Sequence, residues 1–214
     1  MFQLTVSDLT CQRGYKELFS NLSFELNSGE ILKISGTNGS GKTSLLKILA
    51  GLNSAESGRL SINHSKVGSY DYQSEIFYLG HLPALSPELH CKENLDYLTQ
   101  LSISSNNYTL NDALTNVGLK NFEYEYAANL SAGQKRRVVL SALFITQAKV
   151  WLLDEPFTAL DADCIGVIET QITKHCYDGG ICVLTTHQKC NLPNLRNIYP
   201  VSYTHLTLPT ILLE

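Results

Sequence analysis

The octapeptide GTNGSGKT at residues 36–43 constrains this chain more than any other feature. It matches the pattern G-x-x-x-x-G-K-[ST], whose glycines let the backbone turn its N–H groups inward around a phosphate. We expect Lys42 to act in catalysis by reaching the β- and γ-phosphates of a nucleotide, and Thr43 to offer its hydroxyl to Mg²⁺. The predicted ATP-binding loop comprises Gly36, Thr37, Asn38, Gly39, Ser40, Gly41, Lys42, Thr43 and Ser44.

The segments on either side of this loop agree with that interpretation. Residues 30–35 (EILKIS) are predicted to form a short apolar strand, and residues 44–52 (SLLKILAGL) a helix that Gly51 would end. The positive N-terminal end of this helix would face the bound anion. A strand, a glycine-rich turn and a helix in this order favour a phosphate-binding loop over a Gly/Ser-rich surface turn.

Charge and hydropathy narrow the classes of partner. The 214 residues include 16 Lys and Arg against 20 Asp and Glu, and the net charge of −4 gives no electrostatic reason to expect nucleic-acid binding. No segment approaches the apolar length of about eighteen residues that spans a bilayer, and the first ten residues lack the pattern of a secretion signal. We therefore expect no nucleic-acid partner and no direct membrane span. The six cysteines include no C-x-x-C pair, which favours reduced thiols.

The order of apolar segments predicts an α/β fold. Strands are predicted at residues 2–6, 22–26, 30–35, 58–63, 75–80, 150–154 and 181–186. The first two alternate as half-buried strands, which suggests a small antiparallel β region. The runs at 150–154 and 181–186 are continuously apolar and are separated by a helical segment near 161–177. Such strands, alternating with helices, indicate a parallel sheet covered on both faces.

Helical spacing appears between the strand at 75–80 and the one at 150–154. Residues 92–101 and 110–119 are predicted helices, and residues 85–130 are the expected helical subdomain inserted into the α/β core. A further helix is predicted to start at Ser131 and to run to residue 148.

Two acidic residues leave the predicted strand VWLLD at the edge where open α/β sheets bind ligands. Asp154 fits a carboxylate that holds Mg²⁺, directly or through water, and Glu155 can polarise the attacking water as a catalytic base. The alternative is a solvated turn ended by Pro156. His187, after the next apolar run, can contact the γ-phosphate and orient the water, or it can be a structural histidine satisfied by backbone.

Five motifs in order resemble those of the ABC ATPases, over residues 2 to 200 of the chain. GTNGSGKT, LSAGQ (130–134), LLDEP (152–156), TALD (158–161) and TTH (185–187) are similar to the Walker A, signature, Walker B, D-loop and H-loop motifs of that family. The resemblance implies a P-loop NTPase core. It also implies that Ser131, Ala132, Gly133 and Gln134 act in trans on ATP bound to a second copy, with Asp161 in the D-loop. Two copies would then meet head to tail as a homodimer around two ATP molecules.

Longer phrases, among them YLGHLPALSPEL and LSAGQKRRV, resemble the ATP-binding subunits of the haem exporters of bacterial cytochrome c maturation. This resemblance implies integral membrane haem-exporter subunits as partners and a peripheral location on the cytoplasmic face of the inner membrane. A second interpretation is an ABC subunit for another exported solute. A third is an ABC-type switch acting on ribosomes or DNA, which a single cassette, the absence of a heptad run and a net acidic charge disfavour.

Two positions depart from the family pattern. An aromatic residue that stacks on adenine is usual near position 13, where this chain has Arg13 and then Tyr15. Arg13 can stack through its guanidinium plane, or both residues can be exposed turn residues. At the position of the Q-loop glutamine the chain has His81, which can bind Mg²⁺ or a hydrogen-bonding group, but not as an amide does.

The C-terminal segment SYTHLTLPTILLE (202–214) matches no ABC motif. We expect a closing strand within residues 196–201, a single ABC ATPase domain over residues 1–201, and a tail that is not native sequence.

Overall fold

The computed structural model describes residues 2–99 and 109–200, so the tail at 202–214 lies outside the described residues. The strands in chain order are β1 (Gln3–Arg13), β2 (Lys16–Asn27), β3 (Ile31–Ile34), β4 (Ser57–Ile62), β5 (Ser65–Lys66), β6 (Ile76–Leu79), β7 (Val150–Asp154), β8 (Ile181–Thr185) and β9 (Leu195–Ile198). The α-helices are α1 (Lys42–Leu49), α2 (Tyr70–Ser74), α3 (Cys91–Thr99), α4 (Leu110–Asn116), α5 (Ala132–Ser141) and α6 (Ala162–Tyr177).

A parallel sheet with the strand order β6-β7-β8-β3-β9 forms the centre of the fold. Every residue of β7 and β8 is buried. Val150 and Leu152 of β7 pack in the core that includes α1, whereas Trp151 and Leu153 pack in the core that includes α5 and α6. Both faces of the strand are therefore covered, which explains why its sequence is apolar throughout rather than alternating.

An antiparallel sheet with the order β2-β1-β4-β5 packs against the other side of α1. The strands β1 and β2 pair from Gln3 opposite Asn27 to Arg13 opposite Lys16, well beyond the predicted strands. Register shifts interrupt this ladder, and Asp8 in one of them has a φ of 51°. The alternation of buried and exposed residues stops at such bulges, although the pairing between the strands continues. The sequence pattern therefore underestimated the length of both strands.

The helices α3, α4 and α5 lie between β6 and β7 in the chain, where the helical insertion was predicted. Leu95, Leu114 and Val138, one from each helix, pack in the same core. The assignment of residues 1–201 to one domain with residues 85–130 as a subdomain stays a prediction.

The prediction of an α/β fold with a small antiparallel region is confirmed. The helix predicted to run from Ser131 to residue 148 is wrong in its second half. The α-helix ends at Ser141, and a 3₁₀ turn (Ala142–Phe144) follows. The Ser141 hydroxyl donates to the Val138 carbonyl at 2.7 Å, and β-branched Ile145 and Thr146 come next, so both effects weaken continuation of the helix.

Two short elements were not predicted, the helix α2 and the strand β5. They have five and two residues, too few for a periodic pattern to show. The expected closing strand exists as β9, which pairs in parallel with β3. Among the described residues, no helix combines the length and the apolar character needed to cross a membrane.

Candidate nucleotide-binding site

The glycine-rich loop joins β3 to α1 with a backbone that requires glycine. Gly39 and Gly41 have φ angles of 80° and 93°, and Gly41 is the N-cap of α1. A Cβ at Gly41 would lie 3.1 Å from the Cβ of Leu18 and 3.2 Å from a ring carbon of Phe19. The loop therefore packs directly on β2, too closely for a side chain at position 41.

Lys42 folds back over this loop. Its Nζ donates to the carbonyl of Gly36 at 2.8 Å and to that of Thr37 at 3.0 Å. These contacts keep the ammonium group at the mouth of the loop, where the motif predicts contact with phosphates.

Asp154 ends β7 beside the loop and accepts two hydroxyl hydrogen bonds. Thr43 donates to Oδ2 at 2.9 Å, and Thr185, at the end of β8, donates to Oδ1 at 2.7 Å. The carboxylate is almost completely buried, with 2% of its surface exposed. Thr185 lies in the TTH motif but was given no role from the sequence, because nothing in a linear pattern shows which strand lies beside β7.

Glu155, the next residue, is held in a left-handed conformation with a φ of 49°. Its N–H donates to the Thr185 hydroxyl at 2.9 Å, and its Oε2 accepts from the backbone N–H of His187 at 3.2 Å. Its Oε1 is buried and accepts no hydrogen bond from the described residues. This oxygen lies 3.5 Å from Nε2 of His187.

These residues line one open cleft of about 510 Å³. Its walls comprise Arg13, Leu18, Asn38, Gly39, Gly41, Lys42, Thr43, Ser44, His81, Asp154, Glu155 and His187. Gly36, Thr37 and Ser40 line a neighbouring cleft on the other side of the loop. Tyr15 lines neither cleft and is fully exposed. The structure thus brings together the predicted residues from five separate parts of the chain, but not Tyr15.

The signature residues lie in a different cleft. Ser131 caps α5 through a reciprocal pair of hydrogen bonds: its hydroxyl accepts from Gln134 N at 3.2 Å, and Gln134 Oε1 accepts from Ser131 N at 2.9 Å. Ala132 is the first residue of the helix. A Cβ at Gly133 would lie 2.8 Å from the Ala159 carbonyl, so only glycine allows this close approach.

Asp161 also lines the signature cleft, as the N-cap of α6. Its Oδ1 accepts from Cys164 N at 2.9 Å, and its Oδ2 forms a short ion pair with Arg137, which the sequence did not single out. The hydrogen bond from Cys164 lowers the pKa of Asp161 and desolvation opposes this effect, while the charge and the hydrogen bond of Arg137 lower the pKa by smaller amounts. Within one chain, the signature cleft and the cleft around Lys42 share no residue.

Arg136 is a buried residue to which the sequence assigned no role. It is 3% exposed, and its guanidinium donates to backbone carbonyls at the ends of the neighbouring strands β6 and β7. The acceptors are the carbonyls of Gly80 (2.8 Å), His81 (3.3 Å), Asp154 (2.8 Å), Glu155 (2.7 Å) and Pro156 (3.3 Å). Burial lowers the pKa of Arg136 to about 10, and the charges of Asp154 and Glu155 oppose that shift, so the residue stays protonated at neutral pH.

No group of three or more His, Cys, Asp or Glu side chains in the described part of the chain is arranged to hold a metal ion. Thr43 and Asp154 place one hydroxyl and one carboxylate group beside the loop, fewer groups than a complete Mg²⁺ shell needs. The hydroxyl and carboxylate oxygens at this position are ligands that Mg²⁺ accepts.

Comparison with known proteins agrees with this geometry. The family described as ABC transporter matches residues 19–158. The cytochrome c biogenesis ATP-binding export protein CcmA of Tatumella citrea is 43% identical over 197 residues, which cover 91% of this chain and 92% of the relative.

Solved structures share the fold. An ATP-binding subunit of an ABC transporter has a TM-score of 0.79 at 26% identity, over 86% of this chain and 79% of that one. A dimeric ATP-binding cassette in a post-hydrolysis state, bound to ADP and Pi, has a TM-score of 0.74 over 86% of this chain and 88% of that one; at 22% identity it shows the fold alone. The chain therefore belongs to the ABC transporter family, as an ATP-binding subunit of the CcmA type.

Proposed function

We propose that the cleft around Lys42 binds ATP with Mg²⁺ and that Glu155 is the base for its hydrolysis. The observation that carries this proposal is the buried Oε1 of Glu155, a residue that lines the same cleft as Lys42; this oxygen accepts no hydrogen bond from the described residues. Burying a carboxylate oxygen without a hydrogen-bond donor costs free energy, unless a ligand or a water molecule interacts with that oxygen.

The other residues of the cleft then have distinct roles. Lys42 exchanges its contacts with the loop carbonyls for the phosphates, and the N-terminal end of α1 adds a positive partial charge. Thr43 and Asp154 would hold Mg²⁺, and the ion would neutralise charge on the phosphate oxygens. His81, on the same wall, is a further contact for the ion or its water, and the guanidinium of Arg13 stacks on adenine.

Hydrolysis follows from the position of Glu155. A water oxygen attacks the γ-phosphorus, the bond from this phosphorus to the bridging oxygen of ADP breaks, and Glu155 accepts the proton of the water. His187 lies 3.5 Å from Glu155 and orients the water and the γ-phosphate.

The signature cleft supports a homodimer. We propose that Ser131 and the amides around Gly133 bind the γ-phosphate of ATP held by a second copy, because they start a helix and lie in a different cleft from Lys42 of their own chain. The Ser131 hydroxyl accepts from Gln134 N, and its own hydrogen stays available to a phosphate.

In the cell, we propose that ATP hydrolysis by this chain drives haem export, or release of haem to a chaperone, during the assembly of c-type cytochromes. The similarity to the cytochrome c biogenesis export protein supports this assignment. The partners would be integral membrane haem-exporter subunits, and the chain would bind them at the cytoplasmic face of the inner membrane.

Glu155→Gln tests the base. The variant should keep its affinity for ATP and lose at least about 100-fold in kcat, because the amide cannot accept the proton while the phosphate contacts remain. Steady-state ATPase rates and equilibrium binding of a fluorescent ATP analogue give the two quantities. Turnover near the wild-type rate would show that Glu155 is not the base.

A strain carrying only Lys42→Ala tests the biological role. It should lack c-type cytochromes and retain b-type cytochromes, as measured by haem staining and difference spectra, whereas Lys47→Ala on the same helix should leave both. Normal c-type levels with Lys42→Ala would leave the export of another solute as the function.

A further inference from the structure

Arg136 occupies an unusual position for a charged residue. It is 3% exposed, yet among the described residues no carboxylate lies within ion-pair distance of it. Its three nitrogens donate only to backbone carbonyls, and these come from two segments, residues 80–81 and residues 154–156. A guanidinium suits this task because its donors form a rigid, planar fork.

One of these carbonyls belongs to Glu155, whose backbone is in the sparsely populated left-handed region. Such a conformation persists where neighbouring groups hold it. Here the N–H of Glu155 is held by Thr185 at 2.9 Å, and the carbonyl is held by Arg136 at 2.7 Å. The two contacts together fix the direction in which the Glu155 side chain leaves the chain.

The same guanidinium also connects the cleft to two other elements. It holds the carbonyls of Gly80 and His81, which follow the end of β6 beside the end of β7, and His81 lines the cleft together with Glu155. Arg136 itself lies on α5, whose N-cap is Ser131. A shift of α5 would therefore change the hydrogen bonds of both the Glu155 turn and the His81 segment.

We propose that Arg136 is a positioning residue that orients Glu155 for hydrolysis and links this orientation to the position of α5 and of residues 80–81. The inference rests on the proposed role of Glu155 as the base. Arg136 contacts no substrate in this proposal; it acts through the peptide groups that it holds.

Arg136→Lys is the direct test. The ammonium keeps the charge but has three donors on one nitrogen, so it cannot hold carbonyls of both segments at once. The kcat for ATP should fall at least about tenfold, while the Kd for the ATP analogue stays within about twofold of the wild-type value. Arg196→Lys is the matched control, because Arg196 also donates to a backbone carbonyl, that of Glu25 at 3.0 Å, but lines neither cleft. Its kcat should be unchanged.

A double variant separates positioning from general damage. If Arg136 acts through Glu155, then Arg136→Lys should cause no further loss of turnover in a Glu155→Gln background. Arg136→Gln, which keeps two amide donors, serves as a second variant if the lysine protein does not fold. An unchanged kcat in a folded variant, or losses that multiply in the double variant, would overturn the proposal. High turnover of Glu155→Gln alone would instead refute the assigned base, so the two failures are distinguishable.

Discussion

At the scale of the residue, the site depends on two adjacent carboxylates that differ in their hydrogen-bond partners. Each carboxylate oxygen of Asp154 accepts one hydroxyl hydrogen bond, from Thr43 or from Thr185. Glu155 has one oxygen bound to the His187 backbone and one oxygen without a hydrogen bond from the described residues. Sequence alone placed both acids at a strand end, but the difference in their partners arises from β8 lying beside β7.

We predict that Thr185→Val destabilises the protein and slows hydrolysis. The valine has nearly the same shape, but it removes the donor to Asp154, in a buried hydrogen bond, and the acceptor for the Glu155 N–H, in a partly buried one. Leaving such groups unpaired costs about 1–3 kcal/mol of unfolding free energy. Urea unfolding and ATPase rates measure the two effects.

Thr170→Val is the control for this substitution. Thr170 is exposed, and its hydroxyl donates to the Gly166 carbonyl within α6, so the change should be within about 0.5 kcal/mol. Equal losses for the two threonines would contradict the assigned role of Thr185.

At the scale of the element, the start of α5 has both a structural and a proposed catalytic role. The helix α4 offers a comparison, because Thr109 forms the same kind of reciprocal cap with Asp112. The S-x-x-Q spacing at residues 131–134 is a capping signal that the sequence contained; the helix start and the signature were identified there, but not the cap.

We predict that Ser131→Ala and Thr109→Ala each lower the unfolding free energy by about 1 kcal/mol, because each removes a side-chain acceptor for a helix N–H. Only Ser131→Ala should also reduce ATP turnover, since its hydroxyl is proposed to bind ATP across the dimer. Thermal unfolding and ATPase assays on both variants check this. A similar loss of turnover in Thr109→Ala would show that Ser131→Ala slows turnover only because it lowers stability.

The last turn of α6 contains a histidine that should make stability depend on pH. His175 stacks on Trp151 at 3.7 Å with an angle of 6°, and its Nε2 lies 3.2 Å from the Lys149 carbonyl. Burial lowers the pKa of His175 to about 4, with hydrogen bonds to Ile181 and Lys149 and the charge of Asp178 opposing this shift and the charge of Lys149 adding to it.

In the unfolded chain this imidazole has a pKa of about 6.5, so the unfolded state binds more protons between about pH 6.5 and pH 4. The contribution of neutral His175 is thus complete above pH 6.5 and is lost as the pH falls toward 4. We predict that lowering the pH from 6.5 to 4 reduces the unfolding free energy of His175→Gln by less than that of the wild type. The difference between the two reductions should be about 1–2 kcal/mol, after allowance for partial solvent exposure of the ring. Urea titrations at several pH values measure the slope, with exposed His64→Gln as the control. Equal slopes for wild type and His175→Gln would contradict the prediction.

At the scale of the whole molecule, neither cleft contains all the proposed groups for hydrolysis. The phosphate loop, Asp154 and Glu155 line one cleft, and Ser131, Gly133 and Asp161 line the other. A second copy would bring the two kinds of cleft together around each nucleotide.

We predict that Glu155→Gln forms a dimer with Mg²⁺ and ATP, at twice the 23.7 kDa mass of one chain, because slow hydrolysis preserves the ATP that joins the copies. Light scattering on a sizing column measures the mass. Lys42→Ala in the same background should remain at the mass of one chain, since it weakens nucleotide binding. A dimer that forms equally well without nucleotide would contradict a head-to-tail ATP sandwich.

The sequence by itself determined the class of fold and the phosphate-binding loop. Gly39, Gly41, Lys42 and Thr43 form a contiguous segment, and local backbone conformation is encoded by adjacent residues, so the loop is readable without the rest of the chain. The same holds for the buried strand β7, whose apolar run follows from being covered on both faces.

Only the tertiary structure decided the roles of Thr185 and Arg136 and the separation of the two clefts. Thr185 reaches Asp154 because two parallel strands lie side by side, and Arg136 reaches Gly80, His81, Asp154, Glu155 and Pro156 because α5 packs over two strand ends. These contacts join residues 18 to 56 positions apart along the chain. Periodicity and motif spacing describe neighbours along the chain, whereas hydrogen bonds depend on neighbours in space.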